Sequence, residues 1–359
     1  MILSKRALWT ALLAAVMAAG CWGAKAAEPQ SHYTLVAHTL ETHIVPRVEA
    51  LQTAAAVLPA KVEAVCKDGG DKALADLKTA FGKSASAWAG VEFLRFGPLG
   101  EAGRRERFSF WPDPRGVMDR QLRQLIAAQD PNIIAPGSLA KQSAAVQGLP
   151  ALESLMTDKD TPLGPGEAAA YRCQLAGAIA GNLAALSGEI RDGWLKEGGF
   201  KDRMLRPGSD NPTYKEPGEA ATELLKALLT GLQFVNDVEL KPKLEKAAAV
   251  APLGPFAKLG LQSAYFQAGI TSLNQFYDAM NLESYLAEDK AWIKGWAKGA
   301  WRTFSLSDGA GGAAPGVSKG DAPKLRQVVS QLGGLRQLIG KEMASAAGLA
   351  IGFNELDGD

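Results

Sequence analysis

DKALADLKTAFGKSASAWAGVEFLRFGP, residues 71–98, carries the pattern that decides the fold. Apolar side chains recur in helical steps at Leu74, Leu77, Phe81, Trp88 and Val91, and Arg95 continues the stripe. That period belongs to an α-helix with one face in a core, and Asp71 stands as its cap. Upstream, His32 to Cys66 repeats the pattern with Leu35, Ile44, Val48, Leu51, Val62 and Val65, and Pro46 and Pro59 are expected to kink or split the helix. Downstream, helices are expected at about 115–129 and 138–156, from Gly164 to Lys196, and at about 218–240, 255–283, 285–304 and 321–348. No stretch alternates as a strand does. The expected class is all-α, with two helical-bundle domains at 28–205 and 206–359, divided at the turn-rich RPGSDNPTYKEPG (Arg206–Gly218).

The first 26 residues read as a signal peptide. Lys5 and Arg6 precede an apolar run, Ala7–Ala19, too short to span a bilayer. Ala24 and Ala26 make an A-x-A cleavage site; Gly20-Cys21 is the competing lipobox, which would leave Cys21 lipidated. The expected location is therefore the periplasm or cell envelope, with a lipid anchor as the only membrane contact. Of 39 basic and 38 acidic side chains the leader holds three basic and no acidic ones, so the mature chain stands at −2. No basic excess is available for nucleic acid. Cys66 and Cys173 remain, and in an oxidising compartment they are expected to pair. That bridge would close a loop of about 100 residues, worth roughly 4 kcal/mol.

Residues 97–114 read as a long loop whose aromatics, Phe108, Phe110 and Trp111, argue for a defined structure. Trp111, Pro112 and Asp113 read as a rigid lead into a helix capped by Asp113, from which Arg115 can aim its guanidinium into a pocket. Glu92 stands one helical turn from both Trp88 and Arg95, either paired to Arg95 or an arginine of 104–107, or free to hold a metal or a polar small molecule. Glu153, between Leu152 and Leu155, is either paired to Arg115 or Arg95 or part of a polar site. Pro150 would free a carbonyl within its helix, and Gly148 permits close approach of a neighbour. Together Glu92, Arg95, Arg115 and Glu153 form the candidate ligand or metal cleft between domains.

Several chemistries lack their residues. The three histidines, His32, His38 and His43, cluster in the first helix, and His38 and His43 are five apart, off the spacing that shares an α-helical face. There is no H-E-x-x-H, G-x-S-x-G, P-loop or dinucleotide fingerprint. On Gln262–Asn274, the polar groups of Gln262, Ser263, Tyr265 and Asn274 need partners inside an apolar setting.

Four blocks together resemble the imelysin family, also called the M75 peptidase family. They are AW-x-x-VEFLRFGP (Ala87–Pro98), FWPD (Phe110–Asp113), S-x-x-VQGL-x-ALE (Ser143–Glu153) and GFN-x-LDGD (Gly352–Asp359). The resemblance implies an exported, all-helical protein engaged in iron uptake or an iron-regulated envelope function, with other envelope iron-uptake components as partners. It further implies iron or another divalent metal at a G-x-H-x-x-E motif in the cleft. Gly148 and Glu153 match the ends of that motif, but Pro150 stands at the histidine position and supplies neither ligand nor base. The resemblance thus points to a non-catalytic member. The alternatives are an M75-type metallopeptidase and an interaction scaffold without a ligand.

Overall fold

The computed structural model describes residues 30–245, 254–306 and 322–350. The leader with Cys21, the glycine-rich link 307–320 and the Gly352–Asp359 block lie outside the described residues. Those described are helical with no strand, as the periodicity predicts. No helix among them is long and apolar enough to cross a membrane.

Helix α1 (His32–Thr39) is capped by the Ser31 hydroxyl, which accepts from Thr34 N at 3.1 Å. It passes through a π-helical turn, Leu40–Ile44, into α2 (Val45–Ala56). Pro46 sits in the first turn of α2, and Pro59 in the first turn of α3 (Leu58–Asp68). At Pro59 the missing N–H falls in a first turn, and the helix is divided there after Ala56; at Pro46 the helix runs on from α1 without a break, and the π-helical turn lies immediately before the proline. Next comes α4 (Gly70–Ala89). Its N-cap is Gly69 at φ +66°, and Asp71 lies inside the first turn, where it complements the helix dipole and does not cap it.

The expected loop 97–114 contains α5 (Arg104–Phe108). Then follow α6 (Val117–Ala128), the short α7 (Pro131–Ile134), α8 (Leu149–Thr157), α9 (Ala170–Leu195) and α10 (Phe200–Leu205). Asp113 does cap α6, but from outside: its carboxylate accepts from Val117 N at 3.0 Å and Met118 N at 2.8 Å. The predicted helix 138–156 is broken into short 3-10 turns before α8, and Pro150 falls in the first turn of α8. No carbonyl is freed inside a helix there, a correction to the sequence reading.

The turn-rich link leads into α11 (Pro217–Gln233), which starts with a reciprocal Glu216–Glu219 capping box. A second π-helical turn, Phe234–Leu240, joins it to α12 (Lys241–Glu245). The remaining helices are α13 (Gln262–Met280), α14 (Ala291–Leu306), α15 (Ala322–Gln337) and α16 (Ala344–Ala346).

One contiguous apolar core runs from Leu35 to Leu349. Helix α9 lies along α2 and α3, α4 packs between α3 and α13, and α1 packs on α11 and α13. Cys66 on α3 and Cys173 on α9 are disulfide-bonded, with Cα atoms 5.7 Å apart, fastening two of these packed helices.

Candidate functional site

Glu92 lies just beyond α4, on a turn held by Val91 N and Glu92 N donating to Trp88 O, both at 2.9 Å. The turn aims the Glu92 carboxylate at α13, where the Tyr265 hydroxyl donates to it. Opposite is Glu239, only 6% exposed, on the π-helical turn Phe234–Leu240. Residues five apart on an α-helix diverge by about 140°, whereas the i→i+5 repeat of a π-helix brings them back to one face. Phe234 and Glu239 accordingly line the same chamber, together with Glu92, Phe93, Gly231 and Tyr265. A Cβ at Gly231 would stand 2.5 Å from Leu273 Cδ2 and 2.9 Å from Phe93 Cβ, so only glycine lets α11 close this wall. About 10 Å³ remains free inside, room for about one water.

Enclosure sets the chemistry. Glu92 keeps partial surface at the rim, but its carboxyl is desolvated and pushed up to about 7, against the Tyr265 hydrogen bond and the charges of Arg95 and Arg105. The Trp88 indole N–H also favours the charged form, though it makes no hydrogen bond of good geometry. Burial and then repulsion from Glu92 push Glu239 to about 8, against the charge of Lys243. Burial and the two carboxylates raise Tyr265 well above the usual phenol range, which keeps its proton available for donation. Two acids facing one another in a dry space cannot both ionise cheaply, so the pair retains protons near neutrality.

Phe234 also forms a wall of an outer vestibule of about 290 Å³, whose lining includes Arg95, Arg105, Glu106, Ser109, Phe110 and Trp111. The Arg95 guanidinium lies 4.7 Å over the Phe234 ring, and Trp111 meets that ring edge-on at 6.1 Å. Trp111–Pro112 is cis. Arg105 pairs with Glu106 at 2.5 Å. The vestibule thus holds two arginines and one carboxylate among aromatic rings, a net positive balance, and the chamber behind Phe234 is acidic and closed.

Of the four residues predicted for a cleft, two meet. Arg95 lines the vestibule and Glu92 the chamber. Arg115 is exposed on the turn before α6 and lines neither space. Glu153, 7% exposed, accepts from Leu259 N at 3.0 Å; its partner is a backbone amide, not an arginine. Its carboxyl is raised by burial, against the Leu259 amide and the charge of Lys258. This bond clamps a turn whose Phe256, at φ +67°, packs edge-on against Phe81 at 5.2 Å and Tyr265 at 5.3 Å. Glu153 therefore supports the chamber from behind, through Phe256 and Tyr265. Gly148 sits so close to the end of α5 that a Cβ would lie 2.3 Å from Phe108 O, and Phe108 in turn stacks on Trp88 at 4.5 Å.

Glu239 and Phe234 escaped the sequence reading, whereas Arg105 belongs to the 104–107 run expected as a partner of Glu92, and its charge does act on that carboxyl. Glu239 sits in LLTGLQFVNDVEL (residues 228–240), where an α-helical projection turns it away from Phe234. The π turn at Leu40–Ile44 has a similar effect: His38 and His43, five apart, line one open groove with Arg47, Gln275 and Asp278. His43 is buried and pushed down to about 3 by desolvation and then by Arg47, with Nε2 3.2 Å from Ser272 Oγ. Ser272 Oγ donates to Gly90 O at 2.7 Å, so the His43 contact is satisfied with Nε2 as donor. Among the described residues, no three His, Cys, Asp or Glu side chains converge to hold a metal ion. No imidazole lines the acidic chamber, and its carboxyls hold protons near neutrality. This donor set does not fit a resident metal.

The imelysin family description (Peptidase_M75) matches residues 44–295. An imelysin-like protein from Psychrobacter arcticum 273-4 superposes with a TM-score of 0.73 at 19% identity, covering 90% of this chain and 97% of its own. A protein described as an iron-regulated protein A precursor, from Parabacteroides distasonis ATCC 8503, superposes with a TM-score of 0.69 at 14% identity, with the same coverage, 90% and 97%. At such identities these likenesses speak to the fold. No curated protein matches the chain.

Proposed function

The chain belongs to the imelysin family, and on that premise we propose that it is an exported, non-catalytic protein of the bacterial periplasm or cell envelope. It serves iron uptake or an iron-regulated envelope function by holding a small anionic ligand in the outer vestibule. The leader pattern of residues 1–26 and the Cys66–Cys173 bridge support export to an oxidising compartment.

The observation that carries the ligand is the placement of Arg95 and Arg105 on an aromatic vestibule before a chamber whose acids hold protons. A bare cation would have to displace those protons and find further donors. An anion meets the positive field of Arg95 and of Arg105, the latter already paired with Glu106, which competes with the anion for it, and planar groups can stack on Trp111 or Phe234. Iron would then arrive inside an anionic chelate, with the chelate's carboxylates on the arginines.

Calorimetric titration with citrate, ferric citrate and free iron, zinc and copper tests this, beside native mass spectrometry of protein recovered from the periplasm. Binding of an anionic ligand is expected, weakened at least tenfold in Arg95→Gln, as about 1.5–3 kcal/mol per charged hydrogen bond implies. No co-purifying ligand and no heat from any of these probes would sink the proposal. A metallopeptidase needs a metal-activated water and a general base. Pro150 and the backbone-bound Glu153 give that reading no support. Chelator-sensitive cleavage in a peptide panel would reverse the non-catalytic assignment.

A further inference from the structure

Helices α14 and α15 pack on one another, and neither lines the Glu92 cavities. Their sequences, AWIKGWAKGAWRTFSL and APKLRQVVSQLGGLRQ, carry Lys294, Lys298, Arg302, Lys324, Arg326 and Arg336 and not one carboxylate. Acids and bases nearly balance over the whole chain, so this helix pair is a local concentration of positive charge. Lys298, Arg302 and Arg326 are exposed.

The same pair bears two large apolar side chains out of the core. Trp292 is 60% exposed and Trp296, one turn on, is 38% exposed, while Ile293, Ala297, Ala300 and Phe304 face inward. Gly295 and Gly299 flank the rings with open space where a Cβ would stand. A Cβ at Gly334 would fall 2.9 Å from the Trp296 ring, so α15 seats that indole closely. In sequence Asp289 and Asp308 flank α14 and Asp321 directly precedes α15; Asp278 of α13 interacts with Lys298, and Glu342 is engaged by Lys290 at 2.6 Å.

We propose that the α14–α15 face docks on an anionic lipid surface, the two indoles entering the headgroup layer and the cations meeting lipid phosphates. An indole has an apolar body and a polar N–H, which suits that layer, and basic side chains beside it add electrostatic attraction. A stable protein partner typically covers about 800 Å² with a buried apolar centre. Here the exposed apolar content is two side chains among glycine, lysine and arginine. That suits shallow, reversible seating on a membrane. The site is independent of the ligand proposal.

Co-sedimentation with vesicles tests it, using the Cys21→Ser protein recovered from the periplasm so that no acyl chain contributes. Vesicles of phosphatidylcholine with about one-third phosphatidylglycerol are expected to bind it at least tenfold more tightly than pure phosphatidylcholine, and added salt should weaken the binding. Trp292→Ala/Trp296→Ala and, separately, Lys298→Gln/Arg302→Gln/Arg326→Gln should each lose at least tenfold, with thermal melts confirming that both remain folded. Equal binding to neutral and anionic vesicles, no binding to either, or variants that bind like the parent would overturn the proposal. So would self-association in sedimentation velocity that the Trp292→Ala/Trp296→Ala variant abolishes, since the face would then be a protein interface.

Discussion

Glu239→Gln should make the protein more stable, and increasingly so as pH rises. In the unfolded chain both chamber carboxyls titrate near 4.5; in the fold they keep their protons to about 7 for Glu92 and about 8 for Glu239. Between those values the folded chain binds more protons than the unfolded one, so the free energy of unfolding falls with rising pH. At 1.36 kcal/mol per unit, the displacement of Glu239 sets a ceiling of about 5 kcal/mol and that of Glu92 about 3. The two titrate as a pair, and Glu239 carries repulsion from Glu92 that vanishes in the variant. A gain of about 2–4 kcal/mol at pH 8.5 is therefore expected, shrinking to under about 1 kcal/mol at pH 5, where both proteins are neutral at this position. Glutamine keeps the volume, so packing contributes little to the difference. Urea unfolding of parent and variant at half-unit steps from pH 5 to 8.5 measures it. His43 has the opposite sign: held down at about 3, it costs stability as pH falls below 6.5, equally in both proteins. A parent–variant gap that stays constant over this range, or a parent whose stability climbs from pH 6.5 to 8.5, would refute the account of the chamber.

Reducing the disulfide, or Cys66→Ala/Cys173→Ala, should cost about 4–5 kcal/mol, since the bond closes a separation of 107 residues; denaturant midpoints with and without reductant read it. Gly148→Ala should cost more than about 2 kcal/mol, because its Cβ would fall 2.3 Å from Phe108 O; a thermal melt suffices. Glu153→Ala should lose about 1–3 kcal/mol of stability by leaving Leu259 N without its acceptor, with calorimetric ligand affinity unchanged. Pro150→His restores the family motif yet should gain no zinc or iron affinity by calorimetry, because the Glu153 carboxylate is committed to that amide.

The helices were legible because burial imposes a period, and Leu77, Phe81 and Trp88 all lie fully buried where the period places them. The disulfide was legible from compartment and cysteine number. Helix starts are less legible: Asp71 and Pro150 are first-turn residues, and the sequence pattern alone does not distinguish them from a cap and a mid-helix break. Glu92 stood out as a carboxylate beside a buried tryptophan, and it is in the chamber. Arg115 and Glu153 seemed equal candidates because sequence distance says nothing about which backbone amide a carboxylate will meet 106 residues away. Glu239 and the pairing of His38 with His43 were missed for one reason: both depend on π-helical turns, which a projection at 3.6 residues per turn cannot register. Whole-chain charge near zero likewise concealed the carboxylate-free α14–α15 pair.

The π-helical turn at Phe234–Leu240 makes the chamber's acidity a matter of residue count as well as residue identity. Removing one residue, Val238 for example, would let the segment relax to an α-helix and swing its carboxylate away from Glu92, while every side chain named in the chamber stayed in the chain. Relatives with the same letters but one codon fewer in this stretch would carry an unpaired Glu92 and titrate differently. A gap in an alignment there would carry more information about ligand chemistry than most substitutions.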